Sequence, residues 1–227
     1  MTSRLQRLGL VLAVIGLVFA AGGAYTIFKT QEGYRSLNAF SAAQNVKLSY
    51  NDQGQLVDRG TPEGAQAIMS LLANDWGFAV VAGEFNPNDP IVNTSSEYMY
   101  QLATVTYHTL HSTQTIVLTE DVEYKGEVFT AGEYQFEVAG RYYADFDRAH
   151  PIEGPARGMA WTPVALGLIA QLGVGTVTAS ALQIGLGMAA LFAGLGFTFV
   201  LSGLGLVWAA RAEREKVPAM RLAGVPA

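Results

Sequence analysis

The chain has 227 residues, half of them hydrophobic and only 15% charged, and its formal net charge is −5. This acidic balance argues against nucleic-acid binding, because neutralising phosphates requires clustered Lys and Arg. The absence of cysteine excludes disulfide bonds and thiol chemistry, and the high apolar content makes a membrane protein the first class to consider.

A membrane-spanning helix is predicted at residues 8–28, after a cytoplasmic N-terminus of residues 1–7. No charged residue occurs from Leu8 to Phe28, and this is close to the roughly 20 residues needed to cross a hydrocarbon core. Arg4 and Arg7 before the apolar stretch, with small residues after it, also fit a secretory signal peptide.

Small residues recur along this helix at alternating spacings of four and three, which predicts a close helix-packing seam. The seam residues are Gly9, Ala13, Gly16, Ala20 and Gly23. Such a seam favours a retained membrane anchor over a cleaved signal peptide.

Residues 29–160 are predicted to form an extracytoplasmic α+β domain. The first helix continues as a stalk, with apolar residues at helical spacing, and stops at Asn45. Two short extended segments then flank an NDQG turn, and Thr61-Pro62 begins a helix that runs to Trp76. After the NPNDP turn cluster we expect a further helix capped by Ser95 or Ser96.

The second half of this domain changes to a β pattern. Valines and aromatic residues alternate around Lys125-Gly126 in TIVLTEDVEYKGEVF, and Ala131-Gly132 marks another turn. This pattern predicts a small antiparallel sheet. The segment HPIEGPARG, which contains two prolines and two glycines, predicts a linker back to the membrane.

The stretch from Gly158 to Ala210 carries no charge; it is too long for one crossing and long enough for two. We favour a single crossing preceded by a surface or partly buried helix. Residues 161–178 are predicted to form a short apolar helix and linker, either interfacial or packed in protein, because GVGTVT holds two glycines and β-branched residues. Residues 179–210 then form the second spanning helix, capped by Ser180 and with Trp208 at the cytoplasmic interface. Residues 211–227 form a cytoplasmic tail.

The second spanning helix carries six glycines in three G-x-G pairs. On a helical wheel they form two stripes on nearly opposite faces. We expect one stripe to pack against the first helix and the other to contact a second copy, another membrane protein or the folded-back 163–173 segment. Glycine is also common in membrane helices generally, so the alternative interpretation is that the repeat reflects composition and marks no contact face. The stripes are Gly185, Gly196 and Gly203, and Gly187, Gly194 and Gly205.

The distribution of charge predicts the orientation. Residues 28–160 hold 8 basic and 17 acidic residues, a net charge of 8 − 17 = −9, whereas the two ends together hold 6 basic and 2 acidic residues, a net charge of +4. Under the positive-inside rule both termini are cytoplasmic. A polar domain outside then requires an even number of crossings, most simply two.

His108 and His111 stand at i and i+3 on a predicted helix, where they are able to share a metal ion. Asp145 or Asp147 is then a candidate third ligand of a two-histidine, one-carboxylate site. The spacing matches no metal-binding motif, and a pair of half-exposed helix histidines is the simpler interpretation. We expect no cofactor.

Several segments of the chain resemble a family of actinobacterial membrane proteins of unknown function. They are SRLQRLG, YNDQGQLVDRGTPEG, IMSLLANDW, NTSSEYMYQLATVTYHTLH and GTVTASALQ. Similar sequences often carry the label aromatic ring-opening dioxygenase of the LigA type. The resemblance covers essentially the whole chain and implies a cell-envelope protein; it brings no catalytic residues with it.

These features predict a membrane protein in which two transmembrane α-helices flank an extracytoplasmic α+β domain with a small antiparallel sheet. We expect a non-enzymatic binding or structural module that contacts membrane lipid and belongs to an oligomer or a larger membrane complex. The alternative is a metal-dependent enzyme or sensor using His108 and His111, since a ring-opening enzyme needs Fe(II) on two histidines and a carboxylate.

Overall fold

A computed structural model describes residues 2–222 and, within them, the side chains of residues 2–214. Residues 223–227 of the predicted tail and the side chains of Lys216 and Arg221 lie outside the described part. The chain divides into two compact units, one made of the residues up to Ser36 and from Ser180 onward, the other of Leu37–Ala179. Helices α1 (Thr2–Gln44) and α5 (Pro163–Leu222) each contribute to both units.

Helix α1 runs without interruption through the predicted spanning segment and stalk. It ends where the sequence predicts, because Asn45 adopts a left-handed φ of 51°. The Asn45 N–H donates to the carbonyl of Ser41 over 2.9 Å and closes the last turn. Asparagine enters this conformation more readily than most residues, so it serves as the stop.

Helix α5 differs from the predicted organisation. The helix starts at Pro163, as expected, and the Ala165 N–H donates to Thr162 Oγ1 over 3.1 Å. It then continues through GVGTVT, so the prediction of a break there, and of Ser180 as a separate helix cap, is wrong. Residues 161–178 form the first turns of the same helix that contains residues 179–210.

The glycines of GVGTVT serve packing. Within the second unit this part of α5 lies against helix α3 (Ser95–Leu110). A Cβ added to Gly175 would come within 2.5 Å of the Tyr98 ring, and one added to Gly173 would lie 3.7 Å from Leu102. The close contact with α3 therefore explains why position 175 holds a glycine. From the sequence alone, that glycine indicates a helix break.

Helix α2 (Pro62–Ser70) is capped by Thr61, whose Oγ1 accepts a hydrogen bond from the Gly64 N–H over 3.2 Å. It passes into one π-helical turn, Leu71–Asp75, where the Trp76 N–H reaches the carbonyl of Leu71 over 3.0 Å. The predicted α-helix up to Trp76 is thus wrong in its last part. The wider turn buries the adjacent side chains of Leu71 and Leu72, which explains why the regular helix gives way here.

Helix α3 begins at Ser95, one residue earlier than a cap at Ser95 would place it. Thr94 is the cap: its Oγ1 accepts from the Glu97 N–H over 3.4 Å, and the Glu97 carboxylate accepts from the Thr94 N–H over 3.0 Å. This reciprocal arrangement is a capping box. Ser95 and Ser96 are the first two helical residues, so the prediction of either as the cap is wrong.

The strands form three antiparallel pairs. Strands β1 (Ser49–Tyr50) and β2 (Leu56–Val57) flank the NDQG turn, as predicted. Strands β4 (Val122–Tyr124) and β5 (Glu127–Phe129) pair around Lys125-Gly126, whose φ angles of 51° and 84° are typical of a tight hairpin turn. This hairpin lies between β3 (Thr113–Leu118) and β6 (Gly132–Glu137) in the chain, and β3 and β6 pair with each other.

The predicted linker HPIEGPARG instead contains helix α4 (Glu153–Ala160). Ile152, Ala156 and Ala160 recur every four residues and are all buried, which gives the segment an apolar helical face. Ile152 and Ala156 pack with Ile116 of β3, and Ala160 joins a larger core with Trp161. Two glycines and two prolines indicated a linker, but the burial of this face stabilises a helix.

Candidate functional site

Three glycines of α1 meet the backbone of α5 inside the first unit. A Cβ added to Gly9 would lie 2.5 Å from the carbonyl oxygen of Gly203. One added to Gly16 would lie 2.6 Å from the backbone nitrogen of Val200, and one added to Gly23 would lie 3.0 Å from an α5 backbone nitrogen. Real Cβ atoms do not fit at the first two positions, so glycine is what allows the helices to approach this closely.

One glycine stripe of α5 lies at the same contact. A Cβ added to Gly203 would lie 2.6 Å from the backbone nitrogen of Ala13, and one added to Gly196 would lie 2.6 Å from that of Ala20. Gly185 faces a threonine hydroxyl of α1 at the same distance. Backbone-to-backbone packing of small residues is how helices associate in lipid, where the hydrophobic effect no longer drives contact.

Phe19 of α1 contacts two aromatic rings of α5. Its ring centroid lies 5.9 Å from that of Phe192 and 5.9 Å from that of Phe199, which lies about two turns further along α5. Away from the contact, α1 presents aliphatic side chains that are each more than half exposed: Leu8, Leu10, Val11, Val14, Leu17 and Val18.

The other glycine stripe of α5 has no neighbour in the described part of the chain. A Cβ added to Gly187, Gly194 or Gly205 would have no described atom within 4 Å. Near the middle of this stripe, Thr198 Oγ1 donates to the Gly194 carbonyl over 2.9 Å and so satisfies its hydroxyl within the helix. The stripe is a smooth, apolar surface.

The two candidate metal ligands of α3 have separate partners. His108 Nε2 lies 3.0 Å from Oδ1 of Asp58, which follows β2. His111 Nδ1 lies 2.8 Å from the carbonyl oxygen of Tyr107, and its ring centroid lies 4.1 Å from that of Tyr107. Among the residues that the structure describes, no three His, Asp or Glu side chains form a group that would hold a metal ion.

The two candidate carboxylate ligands also bind other groups. Asp145 Oδ2 accepts from the backbone N–H of Tyr142 over 2.8 Å. Asp147 Oδ2 accepts from the Tyr124 hydroxyl over 2.6 Å and from the Lys125 ammonium over 2.9 Å. These two hydrogen bonds hold the pKa of Asp147 below its ordinary value.

Sequence reasoning missed a buried carboxylate at the start of α3. Glu97 is 1% exposed and accepts from the N–H groups of Asn93 and Thr94 and from the Thr94 hydroxyl, over 2.8 to 3.0 Å. Burial raises the pKa of Glu97, and the three hydrogen bonds offset part of that rise. The T-x-x-E spacing of a capping box was the available signal.

The hydroxyl groups of two tyrosines in the second unit, Tyr50 and Tyr100, are also buried. Burial raises the pKa of Tyr50 and, more strongly, that of Tyr100. Neither hydroxyl makes a hydrogen bond with a described residue. After burial, the negative charge of Asp58 also raises the pKa of Tyr100, and those of Glu97 and Asp89 raise that of Tyr50.

A second buried contact joins three helices inside the second unit. Ser41 Oγ of α1 and the Tyr98 hydroxyl of α3 lie 2.7 Å apart. Ser95 Oγ, also on α3, donates to the carbonyl of Thr176 on α5 over 3.4 Å. The last turns of α1 and the first turns of α5 are therefore tied to α3 by buried polar contacts.

The described residues include two helices long and apolar enough to cross a membrane, Thr2–Gln44 and Pro163–Arg214. In each, only 11% of the most apolar 18-residue window is buried within the protein, which is unlike the core helix of a water-soluble domain. Comparisons with models of protein families, with curated proteins and with solved structures gave no match.

Proposed function

We propose that this chain is an integral membrane protein of the cell envelope that crosses the membrane twice. The observation that carries the proposal is the low burial of its two apolar helices: only 11% of the most apolar window of each is buried within the protein. Exposing that much apolar surface to water is unfavourable at about 25 cal/mol per Å². A hydrocarbon environment removes this penalty, and both helices exceed the roughly 20 residues that a crossing needs.

The charge distribution supports an orientation with both termini in the cytoplasm. The net charge of +4 on the two ends and −9 on residues 28–160 follows the positive-inside rule. Residues 29–160, which hold most of the second unit, are then extracytoplasmic.

The helix contact supports a retained first helix. Gly9 and Gly16 pack against the backbone of α5, and α1 extends to Gln44 without interruption. A cleaved signal peptide needs no such complementary surface.

We assign the extracytoplasmic part a non-enzymatic role, as a binding or structural module within an oligomer or a larger membrane complex. Gly187, Gly194 and Gly205 support the assembly, since they give α5 a second smooth face that the described chain leaves open. The metal-dependent alternative gains no support from geometry, because His108 and His111 bind different partners. Stoichiometric Fe, Zn or Cu in the purified protein would revive it.

Cysteine labelling tests the topology, since the chain has no cysteine of its own. Glu120→Cys lies in the exposed loop between β3 and β4, and Ser3→Cys lies near the start of α1. A membrane-impermeant maleimide should label Glu120→Cys in intact cells and Ser3→Cys only after permeabilisation. Protection of Glu120→Cys in intact cells would reject the proposed orientation.

A further inference from the structure

One end of the helix pair in the first unit carries four arginines. Arg4 and Arg7 lie in the first turns of α1, and Arg211 and Arg214 lie on α5. All four are exposed, and none forms an ion pair with a described residue. Glu213 is the single acidic residue among the described side chains at this end. The end therefore has an uncompensated positive charge.

The opposite end of the same helix pair differs. There the charged residues of α1 are Lys29, Glu32 and Arg35. Lys29 Nζ and Glu32 Oε2 already form an ion pair of 2.8 Å, so only one basic residue is left over. Within the first unit, an excess of unpaired arginine is thus confined to the end of the helix pair that holds the first turns of α1 and Arg211 and Arg214 of α5.

A groove opens beside one of these arginines, Arg4. Arg4, Leu5, Leu8 and Glu213 line a cavity of about 420 Å³. Leu8 is 52% exposed, and Trp208, one turn before the arginines of α5, is 74% exposed. The groove therefore joins an apolar wall to a charged mouth. An exposed tryptophan at this end of α5 is typical of the depth at which lipid headgroups lie.

We propose that this groove binds an anionic phospholipid, an inference that rests on the proposed membrane insertion. An acyl chain lies along Leu5 and Leu8, and the phosphate lies at the mouth near Arg4. A guanidinium offers paired N–H donors that match phosphate oxygens, and basic residues at a membrane surface attract anionic lipids. Glu213 disfavours a bare phosphate and offers an acceptor to a headgroup hydroxyl, so a glycerol headgroup fits the mouth better than free phosphate does.

The test uses the purified full-length protein in mild detergent, stripped of lipid, and measures binding of phosphatidylglycerol by native mass spectrometry. Removing one arginine contact of about 1 kcal/mol corresponds to about a fivefold loss of affinity. We expect Arg4→Gln to weaken phosphatidylglycerol binding about fivefold. Arg7→Gln is the matched control, because Arg7 is an exposed arginine one turn away that does not line the groove; it should change binding less than twofold.

Three results would overturn the proposal. Equal losses in Arg4→Gln and Arg7→Gln would mean general surface attraction without a groove. Phosphatidylcholine binding as tightly as phosphatidylglycerol would remove the charge preference. Displacement of phosphatidylglycerol by an equal concentration of inorganic phosphate would make free phosphate the ligand. Circular dichroism of both variants confirms that each retains its helices, so that a loss of binding reports the groove.

Alkaline carbonate extraction of membranes separates this inference from the proposed function. If the wild-type chain is released by carbonate, the membrane insertion fails, and the lipid site fails with it. If the chain stays in the membrane fraction while phosphatidylglycerol binding is unselective, the lipid site alone is wrong.

Discussion

Ser41 and Tyr98 share a buried hydrogen bond of 2.7 Å between α1 and α3, whereas the hydroxyl of Tyr100, two residues further along α3, is buried without a described partner. The two tyrosines are 5% and 3% exposed, so burial does not distinguish them. The two tyrosines differ in whether the hydroxyl group has a hydrogen-bond partner. This difference allows one substitution to be compared at two sites on the same helix.

We expect Tyr98→Phe to lower the free energy of unfolding by about 1 kcal/mol, because it removes one partner of a buried hydrogen bond. Tyr100→Phe should leave stability unchanged or raise it, since it removes a buried hydroxyl that has no partner to lose. Chemical denaturation of the two variants, followed by circular dichroism, measures the difference. A loss at Tyr100→Phe as large as that at Tyr98→Phe would show that the Tyr100 hydroxyl is hydrogen-bonded in solution.

Gly16→Ala should destabilise the helix pair. Its Cβ would lie 2.6 Å from the backbone nitrogen of Val200, and a backbone atom cannot rotate away as a side chain does. Overpacking of this kind typically costs about 1–3 kcal/mol. Gly22→Ala is the control on the same helix, because a Cβ there meets no described atom within 4 Å.

Thermal unfolding in detergent compares the two alanine variants. Gly16→Ala should melt below the wild type, and Gly22→Ala should melt at or above it, since alanine exceeds glycine in helix propensity by about 1 kcal/mol. Identical melting of the two variants would mean that the helices do not pack through Gly16.

Local signals predicted much of the fold. Asn45 ends α1, Thr61-Pro62 starts α2, and Lys125-Gly126 forms a hairpin turn, as the sequence indicated. Each of these signals is local: it acts through the residue's own backbone preference or, for Thr61, through a hydrogen bond to a residue three positions away. Distant contacts are therefore not needed to predict them. The small-residue spacing of α1 and the Gly196 stripe likewise indicated a surface suited to close packing.

Predictions failed where a distant contact outweighed local preference. Gly175 alone indicates a helix break, but its missing Cβ makes room for the ring of Tyr98, 77 residues earlier in the chain. Pro155 and its neighbouring glycines indicated a linker, but the burial of Ala156 stabilises a helix. The wrong prediction of the α3 cap has a different cause. No distant contact is involved, since the T-x-x-E spacing of a capping box is present in the sequence and indicates Thr94 in place of either serine.

Gly175→Ala tests the packing explanation for that glycine. A Cβ at this position would meet the Tyr98 ring at 2.5 Å, so we expect local destabilisation of about 1–3 kcal/mol. Gly167→Ala, two turns earlier on α5 and with no described atom within 4 Å of its Cβ, is the control. Hydrogen exchange of peptides from α3 should become faster in Gly175→Ala and stay at the wild-type rate in Gly167→Ala.

If Gly175 were instead a flexible break, alanine would stiffen α5 and slow exchange in both variants. That outcome would contradict the packing explanation. A double variant, Gly175→Ala with Tyr98→Leu, sharpens the comparison: the smaller, flexible side chain relieves the clash, so the second substitution should cost less in the Gly175→Ala background than in the wild type.

Glu97 should make the stability of α3 depend on pH in the direction opposite to that of a salt-bridged acid. Burial raises the pKa of Glu97 above its ordinary value of 4.5, so the folded protein holds this proton more tightly than the unfolded chain does. Linkage then requires that the group stabilise the fold increasingly as the pH falls from the raised pKa to about 4.5. Above the raised pKa this stabilisation is lost, because folding then buries an ionised carboxylate and removes its hydration.

The variant Glu97→Gln keeps an acceptor for the Thr94 N–H but does not titrate, and Glu120→Gln at an exposed loop position is the matched control. Hydrogen exchange of α3 measured from pH 7 down to 4.5, and corrected for intrinsic exchange rates, gives the local free energy of opening. The wild type and Glu120→Gln should gain stability relative to Glu97→Gln as the pH falls through this window. A relative loss would mean that the folded protein holds Glu97 as a stabilised carboxylate, with a pKa below that of the unfolded chain.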